Sequence, residues 1–192
     1  MFQDEAMQTL LACGAVLKGH FLLTSGRHSD TYVEKFRLLE RPDLTAGLLG
    51  RLAERFRDAG VQVVLGPAVG GIIVAYEMAR QLGVRAVFAE REAGQLTLRR
   101  GFQLRPGERC LVVEDVVTTG GSVREALAVA RKAGALVVGV ALLADRSGGR
   151  ALDLGVPVEY LVSLDAPSWE PDACPLCRAG VPLEQRGSRA LG

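Results

Sequence analysis

Lysine is almost missing from this chain: Lys18, Lys35 and Lys132 are the only three, and arginine supplies the other cations. Tryptophan occurs once and histidine twice, at His20 and His28. With 23 basic against 22 acidic residues the net charge is +1, which excludes the broad positive field of a nucleic-acid binder. Any phosphate ligand has to be gripped locally. Long hydrophobic runs are missing too. The longest uncharged stretch, Ala59 to Tyr76, is broken by Pro67 and paired glycines, so no membrane span or membrane partner is expected. The first residues, Met1-Phe2-Gln3-Asp4-Glu5, carry acids where a secretory signal carries bases. A soluble, cytoplasmic protein is the expectation.

Cysteine is scarce, with four in the chain. Cys110 opens an apolar run and Cys13 sits in a helical pattern, so both read as small buried hydrophobes. Cys174-Pro175-Leu176-Cys177 has zinc-like spacing, but a structural site takes four ligands and no second cysteine pair exists. Short of a site shared between two subunits, no metal ligands are expected there.

What is present describes one globular unit. The 192 residues are 48% hydrophobic and 23% charged, ordinary for a soluble domain with a substantial core. The spacing of Met7, Leu10, Leu11 and Val16 predicts an amphipathic helix over about 3–17. His20–Leu23 and Tyr32–Phe36 read as strands around a turn-rich segment, Ser25 to Asp30. Pro42 suits the first turn of a helix running towards Asp58.

After Gly60 the pattern changes. Apolar runs at 61–65, 84–90, 110–113, 136–143 and 156–162 alternate with helical stretches, notably 71–82 and 123–133. Continuous hydrophobic runs alternating with helices predict an α/β fold, a central mostly parallel sheet flanked by helices. The stretch from Glu90 to Gln103 instead reads as an exposed β-hairpin loop, the place for a lid or binding loop.

The chemistry concentrates in Leu111-Val112-Val113-Glu114-Asp115-Val116-Val117-Thr118-Thr119-Gly120-Gly121-Ser122. A buried strand ends in two adjacent acids, and a loop of hydroxyls and glycines leads into a helix. Ligands of open α/β sheets bind beyond the carboxyl ends of strands. There, close backbone approach, hydroxyls and a helix N-terminus suit a phosphate monoester. The acids repel a phosphate and fit sugar hydroxyls or a cationic centre better. The segment is neither a P-loop, lacking the GxxxxGK[ST] lysine, nor GxGxxG.

That segment resembles the 5-phosphoribosyl-1-pyrophosphate (PRPP) signature of the type I phosphoribosyltransferases, and most of the chain resembles their orotate branch. Further matching pieces are Leu23-Thr24-Ser25-Gly26-Arg27-His28-Ser29, Gly66-Pro67-Ala68-Val69-Gly70-Gly71, Phe88-Ala89-Glu90-Arg91 and Asp145-Arg146-Ser147-Gly148-Gly149. The resemblance implies one phosphoribosyltransferase domain over 1–192, with a small N-terminal hood (about 1–58 plus the C-terminal tail) and a PRPP-binding core (about 60–165). It implies that Glu114, Asp115, Val116, Val117, Thr118, Thr119, Gly120, Gly121, Ser122 and Arg91 bind PRPP. Glu114 and Asp115 would be catalytic, and Thr118 and Arg146 would hold orotate. Mg²⁺ would arrive with PRPP and need no dedicated protein ligands, and the active unit would be a homodimer. Independently of the resemblance, a guanidinium emerging at the phosphate-loop edge is the natural bidentate partner for a carboxylate substrate.

The chain departs from the family pattern in its lysines. The mobile loop holds only Arg91, Arg99 and Arg100, Gly70 replaces the lysine of the pyrophosphate turn, and Thr24 replaces the one before Ser-Gly-Arg. His28 is expected either to reach PRPP from a neighbouring subunit or to be an exposed turn residue.

Overall fold

The five apolar runs become five parallel strands of a six-stranded sheet in the computed structural model, which describes residues 2–23, 25–150, 153–164 and 166–186. The chain starts with α1 (Phe2–Ala12), β1 (Val16–Leu22), β2 (His28–Val33), α2 (Phe36–Leu39) and α3 (Pro42–Glu54). A 3₁₀ turn (Arg57–Ala59) precedes β3 (Val63–Pro67), α4 (Gly70–Leu82), β4 (Arg85–Glu92), β5 (Gln95–Leu98) and β6 (Arg109–Val117). Then come α5 (Gly121–Lys132), β7 (Leu136–Asp145), β8 (Val158–Ser163), β9 (Ser168–Trp169), α6 (Pro175–Arg178) and β10 (Glu184–Gln185).

The large sheet has the order β5-β4-β3-β6-β7-β8, and every neighbouring pair is parallel except the hairpin β4–β5. Strand alternation sorts its side chains into two cores. Val64, Leu111, Val113, Ala141 and Leu143 pack with α1, α3 and α4 on one face. Val63, Leu65, Cys110, Val112, Val140 and Leu142 pack with α5 on the other. Since β6 is covered on both faces, the polar ends of its two acids can emerge only at its carboxyl edge.

The smaller sheet, β10-β1-β2-β9, joins strands from both ends of the described chain. Its core is the antiparallel pair β1–β2, whose register slips between Lys18 and Phe21. This bulge breaks the alternation, so that His20 and Phe21 are buried in succession.

Several boundaries differ from expectation. Gly14 adopts φ +74°, a left-handed conformation that ends α1 early and releases Val16 and Leu17 into β1. β2 stops at Val33, so Lys35 and Phe36 belong to the start of α2 rather than to a strand. The helix after Pro42 ends at Glu54, with a 3₁₀ turn up to Ala59. His28 is not an exposed turn residue: it opens β2, is only 5% exposed, and its ring meets that of His20 edge-on. Cys110 is fully buried, as expected, whereas Cys13 is only partly so. Thr24 lies outside the described residues.

The turn from β3 into α4 is packed to its limit. A Cβ on Gly66 would stand 2.1 Å from the Gly71 carbonyl oxygen, and one on Gly71 would stand 2.9 Å from Pro67 Cδ. Both obstacles belong to the turn itself and cannot swing away. Gly66→Ala is therefore expected to lower stability by at least about 1–3 kcal/mol, read as a lower urea midpoint at unchanged slope.

Candidate active site

β6 delivers Glu114 and Asp115 to the edge of the large sheet, where they are 7% and 3% exposed. Glu114 Oε1 accepts a hydrogen bond from the Asp115 backbone N–H (3.1 Å), and Asp115 Oδ1 accepts one from that of Val116 (2.5 Å). Asp115 Oδ2 makes no hydrogen bond of good geometry, but Lys35 Nζ lies 2.6 Å from it as an ion pair. Burial, and then the Asp115 charge, push the Glu114 carboxyl up to about 8. The pair thus holds one proton more readily than two free carboxylates would.

Opposite this pair lies the start of α4. A Cβ at Gly70 would come 1.7 Å from Asp115 Oδ2. Any side chain at position 70 would displace the carboxylate, which gives a packing reason for glycine where the family pattern has lysine. The cation beside Asp115 comes instead from Lys35, between β2 and α2. The sequence carries no signal for this contact, because it joins the start of α2 to the end of β6 across 80 residues.

Beyond β6, Thr118 to Gly120 turn into α5. Gly120, at φ +78°, occupies the N-cap position and offers no side-chain cap, so the first-turn N–H groups keep their donors free for an anion. Glu114, Val116, Val117, Thr118, Thr119, Gly120, Gly121, Ser122 and Val123 line a small cavity of about 50 Å³ here.

Register brings Arg146 to the same edge. Val117 pairs with Asp145 across β6 and β7, and the Arg146 backbone N–H donates to the Val117 carbonyl (2.7 Å). Asp145 ties down the following turn, accepting from the Ser147 N–H and hydroxyl and from the Gly149 N–H. Arg146 Nε is buried with no hydrogen-bond partner among the described residues. Burial pulls its pKa below the ordinary value while the nearby Tyr32 opposes the shift, and a guanidinium stays charged regardless.

The loop arginines are not gathered here. The hairpin is present as expected, turning at Ala93 and Gly94 with positive φ. Arg91 makes a two-pronged contact with Glu125 of α5 and bonds the Gly94 carbonyl. Arg100 is paired with Glu90, and Arg99 with Glu90 and Glu92. Among the described residues none of the three touches the acid pair.

A mostly parallel α/β sheet thus carries a glycine-rich loop and two acids at the carboxyl edge of one strand. Residues 38–173 match the phosphoribosyl transferase domain, and the chain belongs to that family. Its full-length relatives sharpen the placement. It is 53% identical to an orotate phosphoribosyltransferase of Pelotomaculum thermopropionicum and 50% identical to one of Desulforamulus reducens, with all of this chain and all of each relative covered. The crystal structure of the Aeropyrum pernix orotate phosphoribosyltransferase superposes with a TM-score of 0.67 at 30% identity, over 85% of this chain and 94% of that one.

The Glu114 proton has a measurable consequence. Between about pH 4.5 and about 8 the unfolded chain has released it while the folded, ligand-free chain retains it, so this group makes stability fall as pH rises through that window. Glu114→Gln, which has no such proton to lose, is expected to gain in Tm relative to the parent as pH rises. Parallel melting curves across the window check this.

Proposed function

We propose that this chain transfers the ribose 5-phosphate group of PRPP to orotate, yielding orotidine 5′-monophosphate and pyrophosphate in pyrimidine nucleotide synthesis. The observation that carries the reading is the buried, unpartnered Arg146 Nε at the edge of the phosphate loop. A purine base has no carboxylate to satisfy it, whereas orotate does. In this reading Thr118, Thr119, Gly120, Gly121 and Ser122 bind the 5′-phosphate, Glu114 and Asp115 face the ribose hydroxyls, and Thr118 and Arg146 hold the base. The smaller sheet acts as a hood, closing from the Tyr32–Val33 side.

The reacting ring nitrogen of orotate gives up its proton to solvent and forms the new N–C bond at the anomeric carbon as the C–O bond to pyrophosphate breaks, that bond's electron pair leaving with pyrophosphate. Positive charge develops on the ribose, and the Asp115 carboxylate stabilises it electrostatically. The carboxylate oxygens of Glu114 and Asp115 suit a hard cation, and Mg²⁺ accompanying PRPP would neutralise charge on the departing pyrophosphate. Each hairpin arginine rests on a glutamate, so Arg91 contacts PRPP by exchanging Glu125 for a pyrophosphate oxygen. The working unit is a homodimer in the cytoplasm.

Two alternatives are less well supported. A purine phosphoribosyltransferase leaves Arg146 unexplained. A PRPP-sensing regulator calls for a basic surface that a net charge of +1 does not supply.

With PRPP and Mg²⁺, rapid pyrophosphate release is expected with orotate and not with adenine or xanthine; equal turnover of a purine overturns the reading. Arg146→Met should lower kcat/KM for orotate on the order of 10–100-fold, the loss of a charged hydrogen bond, with PRPP affinity little changed.

Asp115→Asn keeps the volume and removes the charge. Its kcat should fall about 10²–10³-fold in a chain that still melts cooperatively, while affinity for the nucleotide product, which carries no developing cation, changes much less. Steady-state kinetics and product titration distinguish these effects.

A further inference from the structure

The Cys174–Cys177 pair has partners that its own spacing does not reveal. His20, His28, Cys174 and Cys177 converge so that one potential ligand atom of each lies within 4.8 Å of all the others. His20 Nε2 is 3.0 Å from His28 Nδ1, 3.5 Å from Cys174 Sγ and 3.7 Å from Cys177 Sγ, and Cys177 Sγ is 3.2 Å from His28 Nδ1. A tetrahedron with Zn–N of about 2.0–2.1 Å and Zn–S of about 2.3 Å has edges of roughly 3.3 Å between nitrogens and 3.6 Å between nitrogen and sulfur. The four separations above lie close to those values, and the other two are at most 4.8 Å.

The surroundings are those of a built site. His20 is 2% exposed and Cys174 0%, so neither imidazole nor thiol is there to meet solvent. The β1 bulge turns His20 into the interior. Its other ring nitrogen, Nδ1, lies 2.8 Å from the Val181 carbonyl; donation there leaves the Nε2 lone pair facing the cluster, the usual outer-shell arrangement of a metal-bound histidine. The chain has no second cysteine pair, as the sequence shows, but its two histidines supply the missing candidate ligands.

We propose that His20 Nε2, His28 Nδ1, Cys174 Sγ and Cys177 Sγ form a structural Zn²⁺ site that staples the C-terminal segment to the β1–β2 hairpin. Two sulfurs and two imidazole nitrogens in a closed set favour zinc over hard cations such as magnesium. The staple also accounts for how the tail stays in place: β9 and β10 have two residues each, too few to hold a segment by ladder bonds alone. It anchors β2, whose far end leads to Lys35 and so to Asp115.

The test uses untagged full-length protein purified under reducing conditions. Elemental analysis should find about one zinc per chain. Cobalt(II) exchanged for it should show thiolate-to-metal charge transfer and the visible bands of a tetrahedral S₂N₂ site. Cys177→Ser, at an exposed position that tolerates the change, should weaken zinc binding by more than the roughly 10–100-fold that loss of an outer-shell partner costs. Chelation should speed tryptic cleavage after Arg178. The proposal is overturned if the reduced chain takes up neither zinc nor cobalt. It fails equally if bound zinc is indifferent to both Cys177→Ser and His28→Ala, or if the thiols form a disulfide that binds no metal once reduced.

Discussion

Two adjacent carboxylates at the end of a strand buried on both faces are the constraint around which this structure is arranged. Alternation along β6 sends one acid towards each face, yet both are nearly closed off from water. An unpaired buried charge is costly, and the fold meets the two differently. Asp115 has Lys35 at 2.6 Å. Glu114 has no ion pair of its own among the described residues, and burial and the Asp115 charge outweigh the pull of Lys35 and push it up to about 8. Two chemically similar groups thus acquire different protonation behaviour from their surroundings.

The glycines of the β3–α4 turn follow from the same constraint. Asp115 Oδ2 occupies the space where a side chain at position 70 would begin. Removing that side chain lets α4 approach β6, and the cation then has to come from elsewhere. Lys35 supplies it from the start of α2, two residues past the end of β2, so one ion pair ties the segment leaving the smaller sheet to the acid pair of the large one. The relative placement of the two sheets and the electrostatics of the acid pair are therefore not independent properties.

A similar economy governs the arginines. Arg91, the hairpin arginine proposed to meet ligand, rests on Glu125, and its neighbours rest on glutamates too, Arg100 on Glu90 and Arg99 on Glu90 and Glu92. These contacts are exposed and individually weak, so an anionic pyrophosphate can compete for them. Arg146 is different. Its buried Nε has no hydrogen-bond partner among the described residues, and a ligand carboxylate would satisfy it.

What the sequence determined alone was whatever depends on local pattern. The continuous apolar runs became β3, β4, β6, β7 and β8, because strands buried on both faces leave no polar positions to interrupt them. The acid pair and the loop from Thr118 to Ser122 were legible because strand, turn and helix start follow one another directly. Arg146 was legible because β7 ends where β6 ends. Tertiary structure alone decided the contacts between distant segments: Lys35 with Asp115, the clearance at Gly70, Arg91 with Glu125, and His20 with Cys174 across 154 residues. Neither hydrophobic periodicity nor motif spacing encodes these, since they depend on strand register, a bulge in β1 and the path of the tail over the smaller sheet. A search for ligands at cysteine spacing stops at two. The other two lie on a hairpin near the opposite end of the chain, and only folding brings them within bonding distance of one ion.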